Sequence, residues 1–306
     1  MKDISTATQL YSTRVPNFFY IGTSKAGSTW IYNVLMHHPS VYMVPGKGLH
    51  FFDNHYERGL EWYLSHFKPS NDNLIIGEVS HGYLYSKLAC ERIAQLNPNA
   101  KLMVCLREPV DRAFSAYLHA VKNAQFNGSF EEALEQMPLL IERGRYATYL
   151  APYIEKFGRH KIHVAVFDNL ARNPEKFATQ LLSFLELEFL EFPEEVTRKI
   201  MPAGQPRSRV VTGLKKKGSS VLRQFGLREL RSRLKTSWLV RNLLYKQYTP
   251  QDKPKMNPIT KKNLKIHFRD EVFRLDALLG FPVSDGWGYS DYAGEPASGG
   301  LVGDPA

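Results

Sequence analysis

Residues 18–30, Phe-Phe-Tyr-Ile-Gly-Thr-Ser-Lys-Ala-Gly-Ser-Thr-Trp, constrain the fold more than any other stretch of this chain. The run Phe18 to Ile21 reads as a buried strand that breaks at Gly22. A small-residue loop carrying Lys25 follows, and an amphipathic helix begins near Thr29. Strand, glycine-rich loop and helix N-terminus in succession form an anion cradle. The first N–H groups of a helix lack intrahelical acceptors, and the helix dipole adds partial positive charge there. Gly22 and Gly27 have the spacing of a nucleotide-binding P-loop, but the lysine expected just before Ser/Thr is replaced by Ser28, and Lys25 sits inside the loop. The pattern predicts phosphate binding and argues against an ordinary ATPase. A tight turn with an exposed lysine is the plainer alternative.

A second segment strengthens the phosphate reading. Lys101 to Leu106 is a short apolar run of buried-strand type, followed by Arg107-Glu108-Pro109-Val110-Asp111-Arg112-Ala113-Phe114-Ser115-Ala116-Tyr117. Arg107 falls at the carboxyl end of its strand, where open α/β sheets bind ligands. Pro109 suits the first turn of the next helix, which puts Ser115 about two turns along. A guanidinium and a hydroxyl converging there would hold a second phosphate. The competing arrangement pairs Arg107 and Arg112 with Glu108 and Asp111.

Further strands are expected near 74–79 and 162–167, and helices near 28–37, 85–96, 109–124, 129–136, 146–157 and 174–186. This alternation predicts an α/β, three-layer, P-loop-like fold with a central, mostly parallel sheet. Hydrophobic residues make up 43% of the 306 positions and charged residues 23%, which fits a globular enzyme. Met1 to Thr6 has no apolar signal-type stretch, and no run approaches the roughly 20 apolar residues of a membrane span. A cytoplasmic enzyme is therefore expected. Cys90 and Cys105 are solitary, so neither a disulfide framework nor a metal site is expected.

The two phosphate segments together resemble the sulfotransferases that use 3′-phosphoadenosine 5′-phosphosulfate (PAPS), in particular the branch containing heparan-sulfate and related bacterial enzymes. Thr23 to Trp30 is similar to the family's 5′-phosphosulfate loop, and Arg107 to Tyr117 to its 3′-phosphate-binding strand and helix. Other fragments agree in order: Leu49-His50-Phe51-Phe52-Asp53, Gly77-Glu78-Val79-Ser80, Arg143-Gly144-Arg145-Tyr146 leading to Phe157-Gly158, Val164 to Asn169, Pro206-Arg207-Ser208-Arg209, and Leu275 to Gly280. The resemblance spans residues 15–288, which leaves residues 1–14 as an N-terminal extension and 289–306 as a mobile tail. It implies PAPS as donor, 3′-phosphoadenosine 5′-phosphate (PAP) as product, and no metal. It implies further that Lys25, Ala26, Gly27, Ser28, Thr29 and Trp30 hold the 5′-phosphosulfate and that Arg107 and Ser115 hold the 3′-phosphate. Tyr146 and Arg207 complete the donor site, with Arg207 covering the 3′-phosphate.

The resemblance departs at one position that matters. The family usually has a glutamate two residues before the histidine of His-Phe-Phe, and here that position is Gly48. Glycine accepts no proton, so another residue acts as base, the acceptor is already nucleophilic, or turnover is altered. Glu78, His50 and Lys47 are the candidate catalytic residues besides Lys25, with Asp53, His55 and His81 behind them. Each has a plainer role: an ion pair for Glu78, a packed core histidine for His50, a solvated lysine for Lys47.

The net charge of +10 is concentrated in residues 205–256, where only Glu229 and Asp252 oppose a run of Lys and Arg. Leu222, Phe225, Leu230, Leu234, Trp238 and Leu244 recur there at roughly helical spacing, which predicts a basic helical insert. Such an insert caps the donor, contacts an acidic acceptor, or rests on an anionic membrane surface. The acceptor class is open among glycan, lipid and small molecule, and nucleic acid is not expected as a partner. An ATP-dependent kinase or NTPase is the alternative that the first loop alone allows.

Overall fold

The computed structural model describes residues 15–70, 72–193 and 254–295, together with the backbone of two short strands. In chain order the helices and strands are β1 (Phe18–Gly22), α1 (Ser28–Met36), β2 (Val41–Met43), α2 (Phe51–Asn54), α3 (Leu60–Leu64), β3 (Ile75–Val79), α4 (Lys87–Leu96), β4 (Lys101–Leu106), α5 (Pro109–Lys122), α6 (Phe130–Gln136), α7 (Leu139–Glu142), α8 (Tyr146–Phe157), β5 (Ile162–Val166), α9 (Phe167–Arg172), α10 (Pro174–Phe184), β6 (Gly204–Pro206), β7 (Tyr245–Gln247) and α11 (Pro258–Leu279). They gather into two compact units. The first runs through Arg107 and resumes at Thr148; the second takes Glu108–Ala147 and the described residues beyond 200.

The first unit is built on a five-stranded sheet of order β2-β3-β1-β4-β5, every pair parallel. Its strands are near-continuous apolar runs because both faces are covered. Phe18, Tyr20, Ile75, Val79, Met103 and Cys105 turn to one face, against Trp30, Ile31, Val34 and Leu35 of α1 and Phe177, Ala178 and Leu181 of α10. On the other face Phe19 meets the Phe52 ring of α2 edge-on at 5.9 Å. There Tyr153 of α8 donates to the Tyr83 carbonyl at 2.6 Å. Helices therefore cover both sides of the sheet, the expected three layers. The chain steps from β1 to one side of the sheet and later to β4 on the other, so β1 and β4 flank the switch point where such sheets open a crevice at their carboxyl ends.

Most expected elements form within a residue or two of their places. β2 was not expected; it has three residues and too little periodicity to register. α11 was not expected either, although Asn257 caps it by accepting from Ile259 N at 2.9 Å, Pro258 opens it, and Gly280 closes it at φ 76°.

The second unit centres on α5. Glu108 caps this helix, accepting from Val110 N at 3.0 Å and Asp111 N at 2.7 Å, and also from the Tyr289 hydroxyl at 2.7 Å. Lys265 of α11 lies 3.5 Å from the same carboxylate. Arg112 is almost fully buried and donates to the Leu140 carbonyl. For Arg112 and Glu108 the expected alternative pairing gives way to these partners. Tyr289 is fully buried and Arg269 donates to the Glu295 carbonyl, so the stretch 289–295, read from sequence as tail, is anchored at both ends. β6 and β7 pair antiparallel, Pro206 opposite Tyr245, so these two stretches of the basic insert are extended rather than helical. Pro206 suits such an edge because it has no N–H to give a helix. The rest of the insert up to residue 253, residues 1–14 and residues 296–306 lie outside the described residues. Among the described residues no helix is long and apolar enough to cross a membrane.

One titrating group is built into the sheet. His163 of β5 stacks on Phe184 at 5.2 Å, and its pKa is lowered to about 4, first by burial and then by the Arg159 charge. The unfolded chain therefore binds this proton more readily than the folded one. The stabilisation from a neutral His163 is complete above about pH 6.5 and is lost as pH falls through about 4. Denaturant unfolding at neutral and mildly acidic pH is expected to show this loss, up to about 3 kcal/mol. His163→Phe, which cannot titrate, is expected to flatten that part of the profile; an unchanged slope refutes it.

Candidate functional site

The loop after β1 is latched to the neighbouring strand at its entry. Thr23 donates to the Cys105 carbonyl from both its backbone N and its Oγ1, each at 3.0 Å, and the Tyr20 hydroxyl donates to the Thr23 carbonyl at 2.9 Å. Lys25 and Gly27 then adopt left-handed backbone, at φ 70° and 79°. This places successive N–H groups on one side of the loop, a nest of the kind that binds anions. The first intrahelical bond of α1 runs from Ile31 N to the Gly27 carbonyl at 3.1 Å, and no side chain caps the helix. The N–H groups of Ser28 and Thr29 therefore precede the helical ladder, where an anion is best received. Ala26 is fully buried, whereas Lys25, Gly27, Ser28 and Thr29 are half-buried. Trp30 turns its ring into the core, edge-on to Phe177 at 5.7 Å.

Two further cations reach this loop. Arg107, delivered by β4, donates from Nη1 to the Lys25 carbonyl at 3.2 Å, with its guanidinium 5.0 Å from the Phe167 ring centre. Lys47 donates to Thr29 Oγ1 and, at 3.3 Å, to Ser28 Oγ. The segment bearing Lys47 is laid along the end of β3 by Val44 N to the Gly77 carbonyl at 2.9 Å and Gly48 N to the Val79 carbonyl at 2.7 Å. Lys47 and Arg107 thus reach the loop and the start of α1 from two distant places in the sequence, and with Lys25 in the loop itself the spot is strongly positive and suited to a polyanion.

The other candidates occupy different surroundings. Glu78, opposite Phe19 in the sheet register, is fully buried. It neighbours Tyr63 and Tyr83, whose hydroxyl pKa values are pushed far up, first by burial and then by the Glu78 charge. His50 is only a quarter exposed, sits at φ 51°, and points Nδ1 at Asp53 Oδ2, 3.1 Å away. In the second unit, Ser115 of α5 is half-buried and Tyr146 is fully buried, its ring 6.4 Å from that of Trp287. Arg207 lies outside the described residues. The structure therefore brings Lys25, Ser28, Thr29, Lys47 and Arg107 together in the first unit and sets Glu78 into its core. Sequence reasoning missed the Thr23 latch and the close packing of Gly82 on the His50–Asp53 pair. Neither leaves a local signal, because each depends on strands distant in sequence.

Comparison with known proteins places the chain in a family. The family model described as a sulfotransferase domain matches residues 16–265. Bifunctional heparan sulfate N-deacetylase/N-sulfotransferase 1 of Caenorhabditis briggsae is 28% identical over 225 residues, 65% of this chain and 26% of that protein. Heparan sulfate glucosamine 3-O-sulfotransferase 3A1 of Mus musculus is 28% identical over 186 residues, 58% of this chain and 47% of that protein. The chain thus spans less than half the length of either relative. The sulfotransferase of Alicyclobacillus acidocaldarius has the same fold, with a TM-score of 0.64 and 24% identity over 89% of this chain and 98% of that one. With a family match that takes in most of its residues and the whole anion loop, the chain belongs to the sulfotransferase family.

Proposed function

We propose that this protein transfers a sulfuryl group from PAPS to a hydroxyl or amine, with an acidic glycan as the first acceptor class to test. The observation that carries this reading is that Lys47 and Arg107 reach the Lys25-bearing loop at the uncapped N-terminus of α1. PAPS supplies the activated sulfuryl group and two separated phosphates, and the residues present suit it. Ser28 and Thr29 offer backbone and hydroxyl donors to the 5′ side. Arg107, at the end of the adjacent strand, offers a planar fork for the 3′-phosphate. Ser115, Tyr146 and Arg207 are assigned to the donor by resemblance alone.

In this reading Lys25 neutralises the oxygen that keeps the bonding pair when the sulfur–oxygen bond breaks. Lys47 holds a second positive charge beside the same hydroxyls. Such preorganised charge is worth most where it develops during the reaction, and it costs no reorganisation. The kinase alternative is not favoured: its lysine is absent at Ser28, and the family match is to sulfotransferases.

Calorimetric titration with PAP and with ATP, each with and without EDTA, tests the reading. Tight PAP binding that EDTA leaves unchanged, with much weaker ATP binding, is expected. Magnesium-dependent ATP binding with no preference for a 3′-phosphate would overturn it.

Gly48 also carries a prediction. It sits at φ 81°, and a Cβ there would stand 3.2 Å from both Cδ2 and Nε2 of His50. Gly48→Glu is expected to lower folding stability by about 1–2 kcal/mol through left-handed strain, with no gain in transfer. A thermal unfolding midpoint at or above that of the unsubstituted protein would refute this.

A further inference from the structure

We infer that His50, positioned by Asp53, is the general base that removes the acceptor's proton. The inference rests on the donor reading above and supplies the residue which that reading lacks at Gly48.

The pair has the geometry of a base and its orienter. A carboxylate only accepts hydrogen bonds, so the 3.1 Å contact requires that His50 Nδ1 carry its proton toward Asp53. In the neutral ring Nε2 then holds the lone pair. That nitrogen faces Gly48, which has no side chain to cover it, and the His50 side chain is 25% exposed against 10% for Asp53. Asp53 Oδ1 is buried with no hydrogen-bond partner among the described residues, so the carboxylate is held out of water with its other oxygen committed to the imidazole.

The placement of Nε2 is what links the pair to the chemistry. It lies 3.2 Å from where a Cβ at position 48 would be, so the ring occupies the space in which a side chain at that position would begin. The same short segment, residues 47–53, carries Lys47 to Ser28 and Thr29 of the anion loop. His50 is held in its left-handed conformation by its N–H donating to Ser80 Oγ at 3.1 Å. Its ring is flanked by those of His81 and Tyr83, with centres at 5.5 and 6.4 Å. Strain at a non-glycine residue persists where the surroundings over-determine it, as they do here. Gly82 seals the far side of the pair: a Cβ there would come within 2.5 Å of Asp53 Oδ2.

The step balances without a co-reactant. The acceptor's O–H or N–H bond breaks and its proton passes to Nε2. The acceptor's electron pair forms the new bond to sulfur. The bridging sulfur–oxygen bond breaks with its pair left on the 5′-phosphate of PAP. The imidazolium, stabilised by Asp53, returns its proton to solvent.

The test compares the unsubstituted protein with His50→Gln, His50→Gly, Asp53→Asn and Gly82→Ala. PAPS consumption is followed with N-deacetylated heparosan or with water alone as acceptor, and PAP binding is measured by calorimetry. His50→Gln is expected to lower transfer about 100-fold or more, with PAP affinity within about twofold. Added imidazole is expected to restore part of the lost rate in His50→Gly, which a merely structural histidine would not show. Asp53→Asn and Gly82→Ala are expected to lower kcat rather than raise KM. Nitrogen NMR of the unsubstituted protein is expected to show Nδ1 protonated and Nε2 bare, and Asp53→Asn to show a mixture of tautomers. A bound proton on Nε2 of the neutral ring, or His50→Gln within about twofold of the unsubstituted rate while PAP still binds, overturns the base assignment alone. Failure of PAP to bind the unsubstituted protein overturns the donor reading, and this inference with it.

Discussion

Lys25→Ala is expected to lower single-turnover sulfuryl transfer by about 10²–10³-fold while the protein keeps its fold and most of its affinity for PAP. The backbone argument is specific. Lys25 sits at φ 70°, and alanine meets the same left-handed cost there as lysine does. Arg107 grips the Lys25 carbonyl rather than its side chain, so that bond survives the substitution. The Thr23 latch to Cys105 is also untouched. On the proposed mechanism what disappears is the ammonium that offsets charge on the departing oxygen, an interaction that grows as charge develops, so the loss falls on the rate more than on PAP binding. Rapid-quench measurements paired with PAP calorimetry separate the two. An unchanged rate would remove Lys25 from the mechanism. A parallel loss of PAP binding and thermal stability would make it a structural residue.

The second large effect is expected at Gly27. Its φ of 79° disfavours any side chain, and a Cβ would stand 2.6 Å from Leu170 Cδ2 of α9. The turn must therefore open or α9 must move, and either change displaces the N–H groups of Ser28 and Thr29. Gly27→Ala is expected to weaken PAP binding by at least about 100-fold, close to 3 kcal/mol. Adding Leu170→Ala removes the clash but not the backbone cost, so the pair is expected to recover part of the affinity. The double-mutant cycle then reads the steric share directly. Gly27→Ala binding PAP as tightly as the unsubstituted protein would show that this loop is not the donor cradle.

The anion loop was legible because everything that makes it lies within a few residues: an apolar strand, two glycines, one lysine and a helix start. The strands were legible for a related reason. Parallel strands covered on both faces need apolar residues at every position, and Phe18 to Ile21 and Leu102 to Leu106 are such runs. That same property hid the role of Glu78. When both faces of a strand are buried, alternation no longer marks which side is which. Only the pairing of Glu78 with Phe19, and its place beside Tyr63 and Tyr83, show that it enters the core. Tyr289 escaped notice in a similar way: it follows a run of turn residues, yet its hydroxyl finishes the Glu108 cap far upstream.

The sequence by itself determined the fold class and the strand, glycine loop and helix start that carry Lys25, because those follow from local order and residue chemistry. Tertiary structure alone decided that Lys47 meets Ser28 and Thr29, since two separate segments must be carried to the ends of adjacent strands before they touch. It alone decided that Gly48 and His50 take left-handed backbone, with the imidazole turned to Asp53. Spacing places His50 and Asp53 near each other, but their orientation depends on Ser80, Gly82 and Tyr83 arriving from β3 and the turn that follows it. A short loop cannot impose that geometry on itself; the packed sheet end does.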